Sequence, residues 1–508
     1  MKPIHQNRAA TSLRHDMGRT RLQDRRGMAL FVVLLLLSLT VGLSYAAMRS
    51  QYTAGMIQRN SNRRASARQA AATGITMALK KMHHADWAGV DTSLNGSLSA
   101  SESFLVTYTA GDPTLGDADP DQPYRVTLFS TGYAVDSEHP QSIATHEVRA
   151  IVRLIPRQLA TQPSDWDAMQ GYTLYQTKKE DVELDIPCRF TGPARLQKKL
   201  RVAKNYPDDN DVRSRYLVDL NQMRLAGQPD YRPMNGPVYL PFDEQDSEYF
   251  ALLTSDLGVT VVDTPAQEAN TDWVKPPPPT SYRIYPGGPV YTVQNISDSL
   301  YSTTLKPAPQ NNPLGIFYRD GNVAIKQDVT IQGSLFCKDE LRVEGGNFLL
   351  EPILLPALAG STEPVRLAAV SCQNSKIKAG GGGQIAGLVA VFDKFEIEKG
   401  SEDMAFALAG QLVTRKLYIR ERTPWGNLDW EDYYEYFQYL RDRFPSATEK
   451  YFPNWMAYWG RSPVPRLTFA PESTATTYHW ANAYDPIFVP HPDDDGMRWD
   501  LLEWSENP

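Results

Sequence analysis

The side chains best equipped for chemistry lie close together: Lys376, Lys378, Lys394, Glu396 and Glu398. They alternate along strand-like runs, so they would stand on one outer face. Paired acids and bases on such a face can cleave glycosidic bonds. The plainer reading is a charged exterior over an apolar interior. Asp112, Asp117, Asp119 and Asp121 alternate as in a calcium loop. Gln122 and Leu128 stand where that loop needs Gly and Glu, so a solvated acidic turn is expected instead. His83 and His84 close a helical run and are read as complementing the helix dipole, not as metal ligands. The run Gly380–Gly383 is followed by a strand-like segment, so it reads as a corner; a phosphate cradle needs a helix there. Cys188, Cys337 and Cys372 form no C-x-x-C pair, which argues against a metal cluster. Cys337 and Cys372 are expected as small buried hydrophobes, with a disulfide between them as the alternative in an oxidising compartment. Asp493–Asp495 reads as an exposed turn. Nucleophile elbow, phosphate loop, dinucleotide and zinc-protease motifs are absent from the sequence. No catalytic residue, cofactor or metal is therefore expected.

What must position these residues begins with the N-terminus. Residues 1–27 form a basic leader, with Lys2, Arg8, Arg14, Arg19, Arg21, Arg25 and Arg26 against Asp16 and Asp24. Such a tail is expected to be disordered. Met28–Ala47 carries no charge and is long enough to span a bilayer. The positive-inside rule puts the N-terminus in the cytoplasm and the bulk of the chain outside. A cleaved signal peptide is the competing reading, but the helical pattern runs on without a break. Tyr52, Met56, Ala67, Ala70, Gly74, Ala78 and Met82 recur at helical spacing, so residues 28–82 read as one transmembrane and amphipathic helix. The net charge of −7 excludes nucleic acid as a general partner.

Residues 83–157 contain three alternating runs, Phe104–Ala110, Tyr124–Ala134 and His146–Pro156, read as an antiparallel meander. Such a meander needs a covering element, and the preceding helix is available.

This N-terminal pattern resembles the type IV pilin-like proteins, in particular PilX-type minor pilins and K-type pseudopilins. The residues that carry the resemblance are Arg26, Gly27, Met28, Ala29, Leu30, Arg59, Asn60, Ala67, Gln69, Ala70, Ala71 and Gly74. It covers about a third of the chain. It implies cleavage by prepilin peptidase after Gly27 and methylation of Met28. It also implies an inner-membrane anchor, with other pilin or pseudopilin subunits and the assembly platform as partners. Major pilins carry Glu at the fifth mature position; Val32 stands there, as is usual for minor or tip components.

Residues 158–310 hold short strand-like runs and a polyproline segment, Lys275–Thr280, read as a rigid spacer. These runs either extend the next region or form a separate β-domain. Residues 311–420 pair apolar residues at spacing two between Gly, Asn and Asp corners: Val323/Ile325, Val329/Ile331, Leu335/Cys337, Leu341/Val343, Leu388/Ala390 and Phe395/Ile397. That is an irregular β-solenoid (parallel β-helix), weakly similar to bacterial surface β-helices and bactofilins. Residues 421–508 read as an aromatic cap containing a helix, Trp430–Phe444. The fold class expected is α+β, then mainly β. The function expected is that of a pilin-like assembly or binding protein of a type IV pilus or type II secretion pseudopilus. The alternatives are a membrane-tethered polysaccharide hydrolase or lyase, and an envelope adhesin outside any pilus.

Overall fold

The computed structural model describes residues 25–119, 121–136, 139–180, 182–184, 188–202, 234–242, 251–256, 258–270, 272, 280–378, 382–399, 405–421, 467–479 and 485–507. The leader 1–24, the polyproline run 276–279 and the expected helix Trp430–Phe444 lie outside the described residues. One long helix is followed by a mostly β region with antiparallel and parallel sheets.

Helix α1, Arg25–Met82, is a single element of 58 residues, about 87 Å long at 1.5 Å per residue. It contains no proline, so nothing breaks its hydrogen-bond ladder. Its two halves meet different surroundings. From Met28 to Asn62 every side chain is exposed, including an unbroken run of leucines. Among the described residues it is the one helix long and apolar enough to cross a membrane. From Arg63 onward α1 docks on protein: Ala67, Ala70, Ala71, Ile75, Ala78 and Met82 are buried.

The docking surface is an antiparallel sheet. Strands β1 (Ser93–Ser97), β2 (Glu102–Ala110), β3 (Arg125–Val135) and β4 (Ile143–Ile155) pair in sequence order. Alternation turns Phe104, Val106, Tyr108, Val126, Leu128, Val148 and Ala150 toward α1. Helix and sheet approach very closely. A Cβ on Gly132 would lie 2.1 Å from the Ala67 carbonyl oxygen and 2.4 Å from the Ala71 nitrogen. Ser130 Oγ donates to the Ala71 carbonyl at 2.8 Å. Arg63 and Arg68 pin the rim through Asp136 (3.3 Å) and Glu506 (2.6 Å).

The fifth strand of this sheet comes from the far end of the described chain. Arg498–Asn507 pairs antiparallel with β4. This corrects part of the expected cap: Trp499 is buried beside Trp87 and Tyr285 at the base of the sheet, not over the end of a stack. The physical reason is that β4 offers an open edge and Arg498–Asn507 fills it. Everything between Ile155 and Arg498 is thus inserted between two neighbouring strands.

Most described strands of the insertion form a parallel array with three faces; three short pairings beside it, such as Leu354–Leu355 on Val365–Leu367, are antiparallel. Each short strand pairs with the one three places later: Ile316–Arg319 on Ser334–Cys337, Val323–Gln327 on Glu340–Val343, and Val329–Gln332 on Phe348–Glu351. The long strands Gly382–Lys399 and Ala405–Glu421 bend through all three faces. The spatial order departs from the sequence order. After Glu421 the first face is continued by Leu174–Gln176 and the second by Val182–Leu184. The third is continued by Leu467–Ala470. The turn after that is Cys188–Phe190, Ala194–Arg195 and Leu200–Val202. Val238–Leu240 and Val261–Asp263 follow. One turn is therefore assembled from two distant parts of the chain, which no local pattern announces.

The interior of the array is one core that includes Val323, Ile325, Val329, Ile331, Leu335, Cys337, Leu341, Val343, Phe348 and Leu350. The outer side of the first face is buried too. Tyr318, Phe336, Leu388, Ala390, Val413 and Tyr175 share a second core with α1 and its sheet. Leu388/Ala390, expected inside, therefore point outward, while Val389 and Val391 point inward. A strand covered on both sides loses the alternation that would reveal its orientation. Cys188, Cys337 and Cys372 are buried and carry no disulfide. A hydrogen bond with Cys372, together with burial, raises the Cys337 thiol well above its usual range.

The contact at Gly132 yields a test. Gly132→Val forces the helix off the sheet and should lower stability by about 2–3 kcal/mol. Gly55→Ala, where a Cβ meets nothing, should leave it unchanged or raise it by about 1 kcal/mol. Urea midpoints of the detergent-solubilised chain, followed by tryptophan fluorescence, compare the two.

Candidate functional site

Gly27 and Met28 are the third and fourth residues of α1, already in helical backbone. Met28 is 67% exposed. Ala47 lies on the same bare half of the helix. The structure thus places the suspected cleavage position and the uncharged run on one continuous element.

The acidic loop is more than a solvated turn. Asp119 is fully buried and accepts from Arg125 Nη1 at 2.8 Å, and Asp121 accepts from Arg125 Nη2 at 2.8 Å. Arg149 pairs with Asp112, and Arg153 approaches Asp121 at 3.6 Å. Arginines on β3 and β4 take the carboxylates that a cation would need. Asp494 is held the same way, by Arg157 and by Arg498 Nε at 3.1 Å. His83 lies against Gly496 and Met497. Burial, then the charge of Arg498, lowers its pKa, so a dipole-complementing imidazolium is disfavoured there.

The lysine and glutamate residues do share a face, the second of the array. Register places Arg342, Lys376 and Glu396 in one row and Asn374 and Lys394 in the next. Lys394 Nζ lies 2.7 Å from Glu396 Oε2, and Lys376 Nζ lies 2.6 Å from Glu398 Oε1. Lys376 also approaches Glu396 at 3.9 Å, and Lys378 approaches Glu398 at 3.6 Å. Each carboxylate is flanked by two ammonium groups, and Glu396 is buried. The group forms a closed ladder of ion pairs.

Sequence reasoning missed a cleft of about 290 Å³ on another edge. It is lined by Gln170, Tyr172, Glu363, Gln411, Glu472 and Tyr478, among others. These come from four separate stretches of chain, so spacing carries no signal of the site. Strand Thr477–His479 runs behind it, paired with Val365–Leu367. His479 is fully buried there, and burial lowers its pKa to about 4, against a smaller opposing hydrogen bond with Ala160.

No family model matches the sequence, and no curated protein matches it. A solved structure, the competence-associated pilin ComZ from Thermus thermophilus, aligns with 88% of this chain and 98% of its own at 10% identity. The TM-score is 0.17, and overlap at that level carries no argument.

Two outcomes follow from these sites. Glu396→Gln leaves Lys376 and Lys394 facing a neutral amide and should destabilise the chain by about 1–3 kcal/mol, read from the urea midpoint. His479 binds a proton more weakly folded than unfolded. Its contribution is present above pH 6.5 and is lost as pH falls toward 4. On the order of 3 kcal/mol should disappear across that window, and His479→Gln should flatten this part of the stability profile.

Proposed function

We propose that the chain is a membrane-anchored, pilin-like structural protein carrying a β-solenoid on the outer side of the inner membrane. It acts by assembly and binding. One observation carries this reading: α1 is a single helix whose uncharged run, Met28–Ala47, is bare and whose C-terminal part packs into an antiparallel sheet. Water would oppose that bare surface at about 25 cal/mol per Å², whereas a bilayer or neighbouring apolar helices would cover it. The leader charges support a cytoplasmic N-terminus. Prepilin peptidase would cut after Gly27 and leave Met28 as the methylated first residue. Val32 in place of glutamate supports a minor or tip position in a type IV pilus or type II secretion pseudopilus, alongside other subunits and the assembly platform.

The three-faced strand order supports the solenoid reading, with Leu467–Ala470 and Leu174–Gln176 as parts of one coil. The closed ladder around Glu396 supports a non-catalytic part for the charged face.

Mass spectrometry of the mature N-terminus tests the proposal. A chain beginning at N-methylated Met28 is the expected result. A start at Ala47, or retention of Met1, overturns it.

A further inference from the structure

Along the array the chain passes from the third face to the first through a tight corner. Gly333 joins Gln332 to Ser334, and Gly410 joins Ala409 to Gln411. Both have positive φ, and a Cβ on Gly410 would lie 2.1 Å from the Gly387 carbonyl oxygen. Glycines at this corner let successive turns stack without a gap. One turn cannot be joined this way. Its third-face strand, Leu467–Ala470, leaves through Pro471–Tyr478, while its first-face strand enters through Gln170–Thr173. The corner is split, and the 290 Å³ cleft opens there over Gly410 and Gln411.

The chemistry of the walls selects a ligand class. Among the described residues, the lining holds the carboxylates of Glu363 and Glu472 and no Lys, Arg or His. The cation nearby, Arg366, is buried against Glu351 (3.1 Å) and Glu472 (3.6 Å). A phosphate, sulfate or carboxylate ligand would meet like charge. The walls are built to accept hydrogen bonds. Tyr478 donates its hydroxyl to Glu472 at 3.0 Å and Thr476 donates at 3.1 Å, fixing that carboxylate. Gln411, almost fully buried, donates to the Met169 carbonyl, which pins its amide. Tyr172 gives an apolar platform. Its ring is braced edge-on by Tyr175 and Tyr239, each at 5.7 Å.

We infer that this split corner binds a neutral saccharide. Ring C–H groups lie on Tyr172, and hydroxyls donate to Glu363 and Glu472, charge-assisted bonds stronger than neutral ones. The volume equals about ten water molecules, room for a short sugar segment and not for a folded partner. The inference does not depend on how α1 is processed.

The test uses the full chain in a sugar-free detergent, titrated with maltotriose, cellotriose and triacetylchitotriose. Saturation-transfer NMR and calorimetry read binding. At least one trisaccharide should bind with a Kd of about 1 mM or below. Tyr172→Ala and Glu363→Ala should each weaken it about tenfold. Tyr172→Phe, which keeps the platform, and Lys338→Gln, in the bend after Ser334–Cys337 and outside the cleft lining, should leave it unchanged. No binding of any of the three at about 10 mM overturns the proposal. So does binding that is indifferent to both alanine variants, and so does spermidine outcompeting every sugar, which would mark an amine site.

Discussion

Two sheets in this molecule are completed by strands from far down the chain. Arg498–Asn507 closes the edge of β4, and Leu467–Ala470 supplies the missing third face of a turn built otherwise from residues 174–184. The rest depends on these pairings. They turn a linear succession of segments into one insertion held at both ends by adjacent strands. They also explain why the second core is continuous from α1 through the sheet to the outer side of the first face. The insertion is not a domain on a tether; Trp87, Tyr285 and Trp499 fill the joint between the two parts.

The helix solves a different problem, that of belonging to two solvents. Its uncharged run, Met28–Ala47, is chosen for transfer free energy: aliphatic residues predominate on every side. Its second half is chosen for proximity. Ala67, Ala70, Ala71 and Gly74 are small, so the backbone can reach β3 at Gly132, and the hydrogen bond from Ser130 would be out of reach of a bulkier pair. A polar collar, Arg63 and Arg68 with their partners, marks where protein contact begins.

Much of this was legible in the residues. The uncharged run, the small-residue periodicity and the alternating strands of the meander each express one local rule, and α1, β2, β3 and β4 lie within a few residues of where those rules put them. Interior pairs such as Val329/Ile331 and Leu341/Val343 were equally clear, because their outer neighbours are polar. Legibility failed where both sides of a strand are covered, as at Leu388–Val391. It failed again where pairing is non-local, as between Leu412 and Leu174. The charged face was seen, but only geometry revealed that its members neutralise one another. The split-corner cleft left no trace in sequence, since its walls converge from four stretches that share no motif.

The late closure also sets an order of events for the growing chain. Until residues 467–470 and 498–507 are available, one turn of the array lacks its third face and β4 has an open edge. The pairings that close these gaps, Leu154 with Trp499 and Leu412 with Leu174, join residues far apart in sequence, so loop-closure entropy opposes them. During that interval unpaired strand edges are exposed to other chains. In a polypeptide that emerges N-terminus first, the meander β1–β4 and the turns from residue 316 onward can pair early, and these two closures come last.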